Sequence, residues 1–245
     1  MSAPIKVVLF DAGGTLLGTN TDHPRWYEQF FVEACAEQGV EVTPHQVDEA
    51  LREAAREINL ERRCSSDDQV RIFWEHMYTW CFQRLLPERD AHQLACHYID
   101  RFEMGEYVQL FDDALEALEL VQRAGLRAGI VSNFGSYLST FLEKTGITGF
   151  FEFVVVSANE GCEKPHPEIF DLALARAGVP AEQVLFVGDN LREDYMAAER
   201  HGMFAVLVDR YDLHADKPAL RRVKRLSDIS QYLPPVARAG GLSAR

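Results

Sequence analysis

The sequence has no long apolar run, and this absence excludes one class of protein. None of its hydrophobic stretches approaches the roughly 20 apolar residues that a membrane-spanning helix requires. The N-terminal apolar run is only a few residues long and ends at Asp11, which is not typical of a signal peptide. We therefore expect neither a transmembrane segment nor a secretory leader, and no membrane partner.

Cationic side chains are also scarce. The 245 residues include 25 Lys and Arg against 38 Asp and Glu, so the formal net charge is −13. Such an excess of carboxylates disfavours binding to nucleic acid or to an anionic membrane through bulk charge. A local cation, such as a bound metal, can still make an anionic substrate acceptable.

Cysteine is infrequent and shows no pairing pattern. The five cysteines are odd in number and scattered, and no C-x-x-C motif occurs. This pattern favours free thiols in a reducing compartment, so we expect a cytoplasmic protein. The apolar content of 47% and the charged content of 26% are ordinary for a globular chain of one large or two small domains.

Short apolar runs alternate with helical patterns in most of the chain. The apolar runs cover residues 5–10, 128–131, 153–156, 184–187 and 204–208. Because the runs lack apolar and polar alternation, they predict strands that are buried on both faces of a parallel sheet. Helical patterns, each followed by glycine, cover residues 112–124, 136–145, 167–177 and 193–201. This order predicts an α/β fold, a Rossmann-like, doubly wound core.

The segment from residue 18 to residue 104 differs, because it contains helical patterns only and is rich in aromatic residues. Its predicted helices cover residues 23–38, 45–62, 67–86 and 89–103. We predict an all-helical cap domain at 18–104, inserted into a core formed by 1–17 and 105–233. Residues 234–245 are expected to form a flexible tail. The basic run at 221–225 is expected to be a solvated stretch.

Polar side chains follow several of the predicted strands. These residues are Asp11, Ser132, Asn133, Lys164, Asp189 and Asp194. In an open parallel sheet, ligands bind outside the carboxyl ends of the strands. We therefore expect a nucleophile, a hydroxyl group, a cation and two further carboxylates to converge on one edge of the sheet.

Four motifs carry a resemblance to a known family. They read FDAGGTLL at 10–17, VSNFG at 131–135, EKPHPEIF at 163–170 and VGDNLRED at 187–194. In order and spacing, the chain resembles a hydrolase of the haloacid dehalogenase superfamily with a helical cap of the C1 type. The second and fourth motifs also resemble the REG-2-like, HDHD-type subgroup of that superfamily.

The resemblance implies a phosphatase that acts on a small phosphorylated metabolite. Asp11 matches the nucleophile that becomes an aspartyl-phosphate. Ser132, together with Thr15 and Asn133, matches the groups that bind the phosphate. Lys164 matches the cation that steadies both the nucleophile and the phosphoryl charge.

The resemblance also implies Mg²⁺ as the cofactor. Its ligands would be Asp11, Asp189, Asp194 and the backbone carbonyl of Gly13. Clustered carboxylates repel one another unless a hard cation lies among them, and Mg²⁺ prefers oxygen ligands. The pattern says nothing about the oligomeric state.

Gly13 departs from the family pattern. Phosphatases of the superfamily usually carry an aspartate there, which protonates the leaving group and then activates water. Glycine can do neither, and such general acid–base groups typically contribute about 10²–10⁴-fold to the rate. The sequence leaves three hypotheses open: a phosphatase for leaving groups that need no proton, such as acyl or activated aryl phosphates; a haloacid dehalogenase; and a catalytically weak or inactive binding or regulatory protein.

Two comparisons within the superfamily favour the phosphatase. Dehalogenases also lack the second aspartate, but they generally act without a metal and lack the carboxylate that Asp189 supplies. Phosphonatases use a lysine from the cap, and residues 18–104 contain no lysine. We therefore predict a Mg²⁺-dependent hydrolase of phosphoric monoesters or acyl phosphates.

Overall fold

A parallel sheet of six strands lies at the centre of the molecule. The computed structural model describes residues 4–18, 27–58 and 63–235. The strands are β1 (Val7–Phe10), β2 (Arg127–Ser132), β3 (Phe153–Val156), β4 (Val184–Gly188), β5 (Phe204–Val208) and β6 (Arg222–Val223). Their order across the sheet is β3-β2-β1-β4-β5-β6, and every pair is parallel. The predicted α/β class is confirmed.

The first strand shows why the predicted strands lack alternation. All four residues of β1 are completely buried. Val8 and Phe10 belong to the hydrophobic cluster on one face of the sheet, whereas Val7 and Leu9 belong to the cluster on the other face. Because helices cover both faces, each position of the strand is apolar.

Five of the described helices lie between β1 and β2 in the chain, and the first four of them will be called the inserted helices. They are α1 (Tyr27–Glu37), α2 (Pro44–Glu57), α3 (Asp67–Leu85) and α4 (Ala91–Glu103). They have a hydrophobic cluster of their own, in which Phe31, Phe82 and Tyr98 are fully buried. Four helices are found where four were predicted, although residues 23–26 and 59–62 of the predicted ranges lie outside the described residues. The predicted domain boundaries stay a prediction.

Side-chain caps define where three of the inserted helices begin. At α2, Gln46 N donates to Thr43 Oγ1 at 3.3 Å and Thr43 N donates to Gln46 Oε1 at 2.8 Å. This reciprocal pair is a capping box, which satisfies two donors that have no partner within the helix. Ser66 and Asp90 accept single hydrogen bonds at the starts of α3 and α4.

The remaining described helices return the chain to the starts of β2, β3, β4 and β5. They are α5 (Ala114–Arg123), α6 (Leu138–Lys144), the single turn α7 (Ser157–Glu160), α8 (Pro167–Ala177) and α9 (Met196–Arg200). One predicted helix differs from the observed structure: the stretch predicted at 193–201 begins as a wider π-helical turn, Leu191–Tyr195, before α9. Such a turn often accompanies a functional site, because it displaces side chains from regular helical positions.

The structure corrects the expectation for the basic run at 221–225. Arg222 and Val223 form the edge strand β6, and Val223 is buried. Arg222 donates from Nη1 to Asp209 Oδ2 at 2.9 Å. A strand of two residues is too short to leave a periodic pattern, so the prediction of a solvated stretch is wrong for these two positions.

Three further sequence predictions can be compared with the described residues. All five cysteines carry free thiols. Within the described ranges, none of the helices combines the length and the apolar character needed to cross a bilayer. The predicted flexible tail falls mainly on residues 236–245, which lie outside the described residues.

Substitution of Phe170 by alanine should destabilise the fold strongly. The Phe170 ring is fully buried and lies 5.6 Å from the Phe186 ring, centroid to centroid. Removing a buried aromatic ring leaves a cavity and costs about 3–5 kcal/mol. The free energy of unfolding, measured in urea, should fall by that amount. Leu115→Ala is the control, since Leu115 is 46% exposed and its loss should change stability by less than about 0.5 kcal/mol.

Candidate active site

Neighbouring strand ends bring the predicted site residues together. Phe10 of β1 pairs with Val187 of β4, so Asp11 and Asp189 leave the sheet side by side. Ser132 ends β2 on the other side of β1. After β3 the chain crosses back over β1 to enter β4, and such a reversal opens a crevice at the carboxyl edge of a parallel sheet.

Lys164 connects the loops of this edge through its ammonium group. Its Nζ donates to Asp11 Oδ1 and to Asp194 Oδ1, both at 2.6 Å. Ser132 Oγ donates to the same oxygen of Asp11 at 3.0 Å. All four residues are buried, so these charge-assisted contacts are strong and their geometry is tightly constrained.

Asn133 holds the backbone of Lys164. Its Oδ1 accepts from Lys164 N at 2.7 Å, and its Nδ2 donates to Lys164 O at 2.8 Å. The same Nδ2 lies 3.2 Å from Glu193 Oε2. The predicted phosphate-binding role of Asn133 stays a prediction, while the contacts show a positioning role: its amide fixes the loop that carries the ammonium.

Three carboxylates gather beside this ammonium. Asp11, Asp189 and Asp194 each offer one oxygen, and these oxygens lie within 4.8 Å of one another. When all three carboxylates are ionised, the group has a formal net charge of −2 with Lys164 as the counter-ion. The second oxygen of Asp194 accepts from the backbone N of Asn190 at 2.9 Å, so the π-helical turn fixes this carboxylate from its other side.

The protonation behaviour of the group reflects this surplus of negative charge. Burial disfavours the charged form of Lys164, but Asp11 and Asp194 outweigh burial and raise its pKa above the ordinary value. Burial, together with the charge of Asp11, raises the pKa of Asp194 to about 6 against the opposing effect of Lys164. Asp189 is exposed to the cavity, but partial loss of solvent around its carboxylate and the charges of Asp11 and Asp194 raise its pKa well above the ordinary value.

These residues fit a hard divalent cation. Carboxylate oxygens are the ligands that such ions prefer, and a charge of +2 would balance the net charge of the group. Gly14 supports this arrangement: with φ at +86°, a Cβ there would lie only 2.4 Å from Asp189 Oδ2. A residue with a side chain at position 14 would therefore displace one of the candidate ligands.

A cavity of about 290 Å³ lies between this edge of the sheet and the inserted helices. Seven of the eight predicted site residues line it: Asp11, Gly13, Ser132, Asn133, Lys164, Asp189 and Asp194. Thr15 is fully buried beneath Asp189, donates to its Oδ1 at 3.3 Å and is absent from the described lining. This contact shows that Thr15 helps to hold a carboxylate, while its predicted contact with phosphate stays a prediction.

The inserted helices are attached to the loops of the site. Ser136 donates from N to Asp67 Oδ1 at 2.7 Å and from Oγ to Asp67 Oδ2 at 2.6 Å. Cys64 N donates to Glu163, the residue before Lys164. Both contacts join the start of α3 to loops that also carry site residues, so the position of α3 is linked to that of the site.

Sequence reasoning missed the supporting residues. Asn190 and Glu193 lie within the fourth motif, but neither was assigned a role, although both line the cavity. Glu163 lies at the start of the third motif and was also left without a role. Their position within the motifs was the signal available in the sequence. The contacts of these three residues, with Asp194, Asn133 and Cys64 respectively, depend on the fold and could not be predicted from the sequence.

Comparisons with known proteins relate the chain to hydrolases. The chain is 31% identical over 243 residues to haloacid dehalogenase-like hydrolase domain-containing protein 3 of Danio rerio. This match covers 95% of this chain and 98% of that protein. It is 36% identical over 106 residues to the glyceraldehyde 3-phosphate phosphatase of Methanopyrus kandleri, across 42% of this chain and 45% of that protein.

A solved structure and a family model extend the comparison. The fold matches that of YfnB from Bacillus subtilis, solved bound to magnesium, with a TM-score of 0.71 at 21% identity over 95% of this chain and 100% of that chain. The family model of haloacid dehalogenase-like hydrolases matches residues 5–202. With its four motifs gathered around one cavity, the chain belongs to the haloacid dehalogenase-like hydrolases.

Proposed function

We propose that this protein is a Mg²⁺-dependent phosphatase that forms an aspartyl-phosphate on Asp11. The observation that carries the proposal is the ammonium of Lys164, held between Asp11 and Asp194 beside a third carboxylate. Phosphoryl transfer depends mainly on positioning and on neutralising charge, and this group of residues supplies both. The relative from Methanopyrus kandleri, a glyceraldehyde 3-phosphate phosphatase, supports a small phosphorylated metabolite as the substrate.

The contacts of Asp11 support different roles for its two carboxylate oxygens. Ser132 and Lys164 both donate to Oδ1, which leaves Oδ2 to attack phosphorus. A bond forms between Oδ2 and phosphorus, and the bond to the leaving oxygen breaks with its electron pair on that oxygen. Water then attacks the phosphorus, the bond to Oδ2 breaks with its electron pair on Asp11, and both protons of the water leave with the released phosphate. Lys164 balances negative charge on the phosphoryl oxygens throughout.

The metal would be held by Asp11, Asp189, Asp194 and the backbone carbonyl of Gly13. When bound, Mg²⁺ supplies positive charge that reduces repulsion between the phosphoryl group and the attacking carboxylate. The inserted helices would act as a cap that excludes water from the aspartyl-phosphate. A cytoplasmic location stays a prediction.

Gly13 restricts the substrates of this reaction. Without a carboxyl group at this position, the leaving oxygen must depart without a proton from residue 13. We therefore propose that the enzyme prefers low-pKa leaving groups, such as those of acyl phosphates and activated aryl phosphates. The same observation favours the second candidate function, a catalytically weak binding protein that keeps the phosphate and metal sites.

The charge of the site disfavours a haloacid dehalogenase. A haloacid substrate carries a carboxylate and releases a halide, so negative charge enters and accumulates at the site. The three carboxylates and Lys164 already carry a net charge of −2. Without a divalent cation this surplus would repel both the substrate and the halide.

Substitution of Asp11 by asparagine should abolish phosphate release. The wild-type protein with Mg²⁺ should release phosphate from acetyl phosphate and from 4-nitrophenyl phosphate, and Asp11→Asn should lower both rates by about 10³-fold or more, since the nucleophile is lost. Asp216→Asn, a change in a side chain that is 73% exposed, is the control and should keep full activity. Halide release from 2-haloacids, together with no phosphate release under any condition, would contradict the phosphatase proposal.

Introduction of an aspartate at position 13 should broaden the substrate range. A Cβ at Gly13 would meet only the Phe134 ring at 3.4 Å, which is ordinary van der Waals contact, so the position accepts a side chain. Gly13→Asp should raise kcat for an alkyl phosphate such as glycerol 3-phosphate by about 10²-fold, since a general acid is supplied. The value of kcat/KM with acetyl phosphate, which reports the phosphorylation step alone, should change little, because that leaving group needs no proton. Gly13→Asn is the matched control; an equal gain in that variant would show that the effect is not proton transfer.

Mg²⁺ should stabilise the protein, and more at pH 7.5 than at pH 5. Because the pKa of Asp194 is raised to about 6, the metal-free protein loses stability as the pH rises through that value and the carboxylate ionises among like charges. Mg²⁺ at 100 times its Kd should add about 2.7 kcal/mol, or about 5–10 °C in Tm, at pH 7.5. At pH 5 protons compete with the cation, so the shift should be smaller.

Asp189→Asn provides the control for the metal. This variant should lose the Mg²⁺-dependent rise in Tm and, without metal, should be at least as stable as the wild-type protein, since one of three repelling carboxylates is gone. The prediction fails if the variant keeps the Mg²⁺ shift, or if the wild-type shift is the same at both pH values.

A further inference from the structure

Aromatic and aliphatic side chains form much of the cavity outside the polar edge. Val70, Trp74 and Tyr78 of α3 lie four residues apart, so they share one face of the helix. Phe134 and Tyr137 enter from the loop after β2, with their ring centroids 5.3 Å apart. These five residues will be called the apolar wall.

Among the described residues, the inserted helices contribute one cationic side chain, that of Arg71, to the lining of the cavity. The charge of this side chain is already balanced by carboxylates. Arg71 lines the cavity, but its guanidinium donates to Glu75 at 2.8 Å, to Asp100 at 2.7 Å and to Glu103 at 3.1 Å. One positive charge therefore faces three carboxylates. A second phosphate or a carboxylate on the substrate would be repelled by this group.

Glu103 brings the surplus negative charge to the cavity itself, since its side chain also belongs to the lining. Burial raises the pKa of Glu103, and the charges of Asp100, Asp67 and Glu75 add to this against the opposing effect of Arg71. A neutral group that donates hydrogen bonds can approach this carboxyl group, whereas an anion cannot do so without cost.

The size of the cavity limits the leaving group further. Ligand pockets commonly measure about 300–1,000 Å³, so a cavity of about 290 Å³ lies at the small end of this range. The phosphoryl group and the metal take part of that volume. The remaining space suits a leaving group with a single ring.

We propose that the substrate is the phosphate ester of a small aromatic alcohol whose ring packs on the apolar wall and carries no second anionic group. This inference rests on the proposed phosphatase function and makes the leaving group specific. The inference also agrees with the absence of a general acid at Gly13, because a phenolate leaves more readily without a proton than an alkoxide does. Sugar bisphosphates and carboxylated phosphates are disfavoured by the carboxylates around Arg71.

Two matched substrates test the charge requirement. 3-Carbamoylphenyl phosphate and 3-carboxyphenyl phosphate are similar in shape and in the acidity of their phenols, but only the second carries an additional negative charge. With the Mg²⁺-loaded enzyme, we expect kcat/KM to be about tenfold higher for the carbamoyl compound, which is the effect of one unfavourable charge contact of ordinary size. Glu103→Gln should bring this ratio of kcat/KM values closer to one, since the substitution removes one of the carboxylates around Arg71.

Two tryptophans of the same helix test the apolar wall. Trp74 lines the cavity, whereas Trp80 is partly buried against the cluster of the inserted helices and is not part of the described lining. Trp74→Ala should lower kcat/KM for phenyl phosphate by about tenfold, because the ring of the substrate loses an aromatic contact. The rate with acetyl phosphate, which has no ring, should stay within about twofold of the wild-type value. Trp80→Ala should leave the ratio of the two substrates unchanged.

The outcomes separate this inference from the proposed function. Turnover of acetyl phosphate that depends on Asp11 tests the phosphatase alone. If that turnover is present but the carboxylated aryl phosphate is used as well as its neutral partner, the inference is wrong and the phosphatase proposal stands. The inference also fails if Trp74→Ala affects acetyl phosphate and phenyl phosphate equally. Absence of turnover with every phosphate would overturn both.

Discussion

The contact between one buried ammonium and two buried carboxylates organises this molecule. Lys164 reaches Asp11 and Asp194 at the same distance, and these three residues come from loops that follow three different strands. A buried lysine without partners would lose its proton, and buried carboxylates without a cation would gain one. Each charge therefore depends on the others, and the loops that carry them cannot move independently. When all three carboxylates are ionised, two negative charges remain unbalanced, and these are the charges that the proposed divalent cation would neutralise.

The second constraint is close approach of backbone to carboxylate. Gly14 permits Asp189 to lie against the turn after β1, and Gly188 does the same for Asp194, since a Cβ at position 188 would lie 2.4 Å from its carboxyl group. Two glycines on neighbouring loops thus allow two carboxylates to be drawn inward. Gly13, between Asp11 and Gly14, is of a different kind, because its neighbourhood has room for a side chain. The absence of a side chain at position 13 changes the chemistry of the site. At positions 14 and 188, by contrast, the close packing leaves no room for a side chain.

The sequence allowed prediction of the sheet, most helix ends and the convergence of the charged residues. These features follow from apolar runs of strand length, from glycines after helices and from the rule that strand ends meet at one edge. It did not reveal the clamp that Asn133 places on Lys164, because a side-chain contact with a distant backbone leaves no periodic trace. The role of Thr15 beneath Asp189 was hidden for the same reason. The edge strand β6 was missed because two residues carry no pattern, and the π-helical turn before α9 was missed because its residues suit an ordinary helix equally well.

The attachment of α3 to the site has a consequence for the timing of the reaction. Asp67, at the start of α3, holds Ser136, and the same helix presents Trp74 and Tyr78 to the cavity. The same helix therefore contacts both the loop after β2 and the cavity, so any displacement of α3 would change both at once. If the inserted helices act as the proposed cap, a leaving group that packs against Trp74 and Tyr78 would stabilise their closed position, and its release would favour opening.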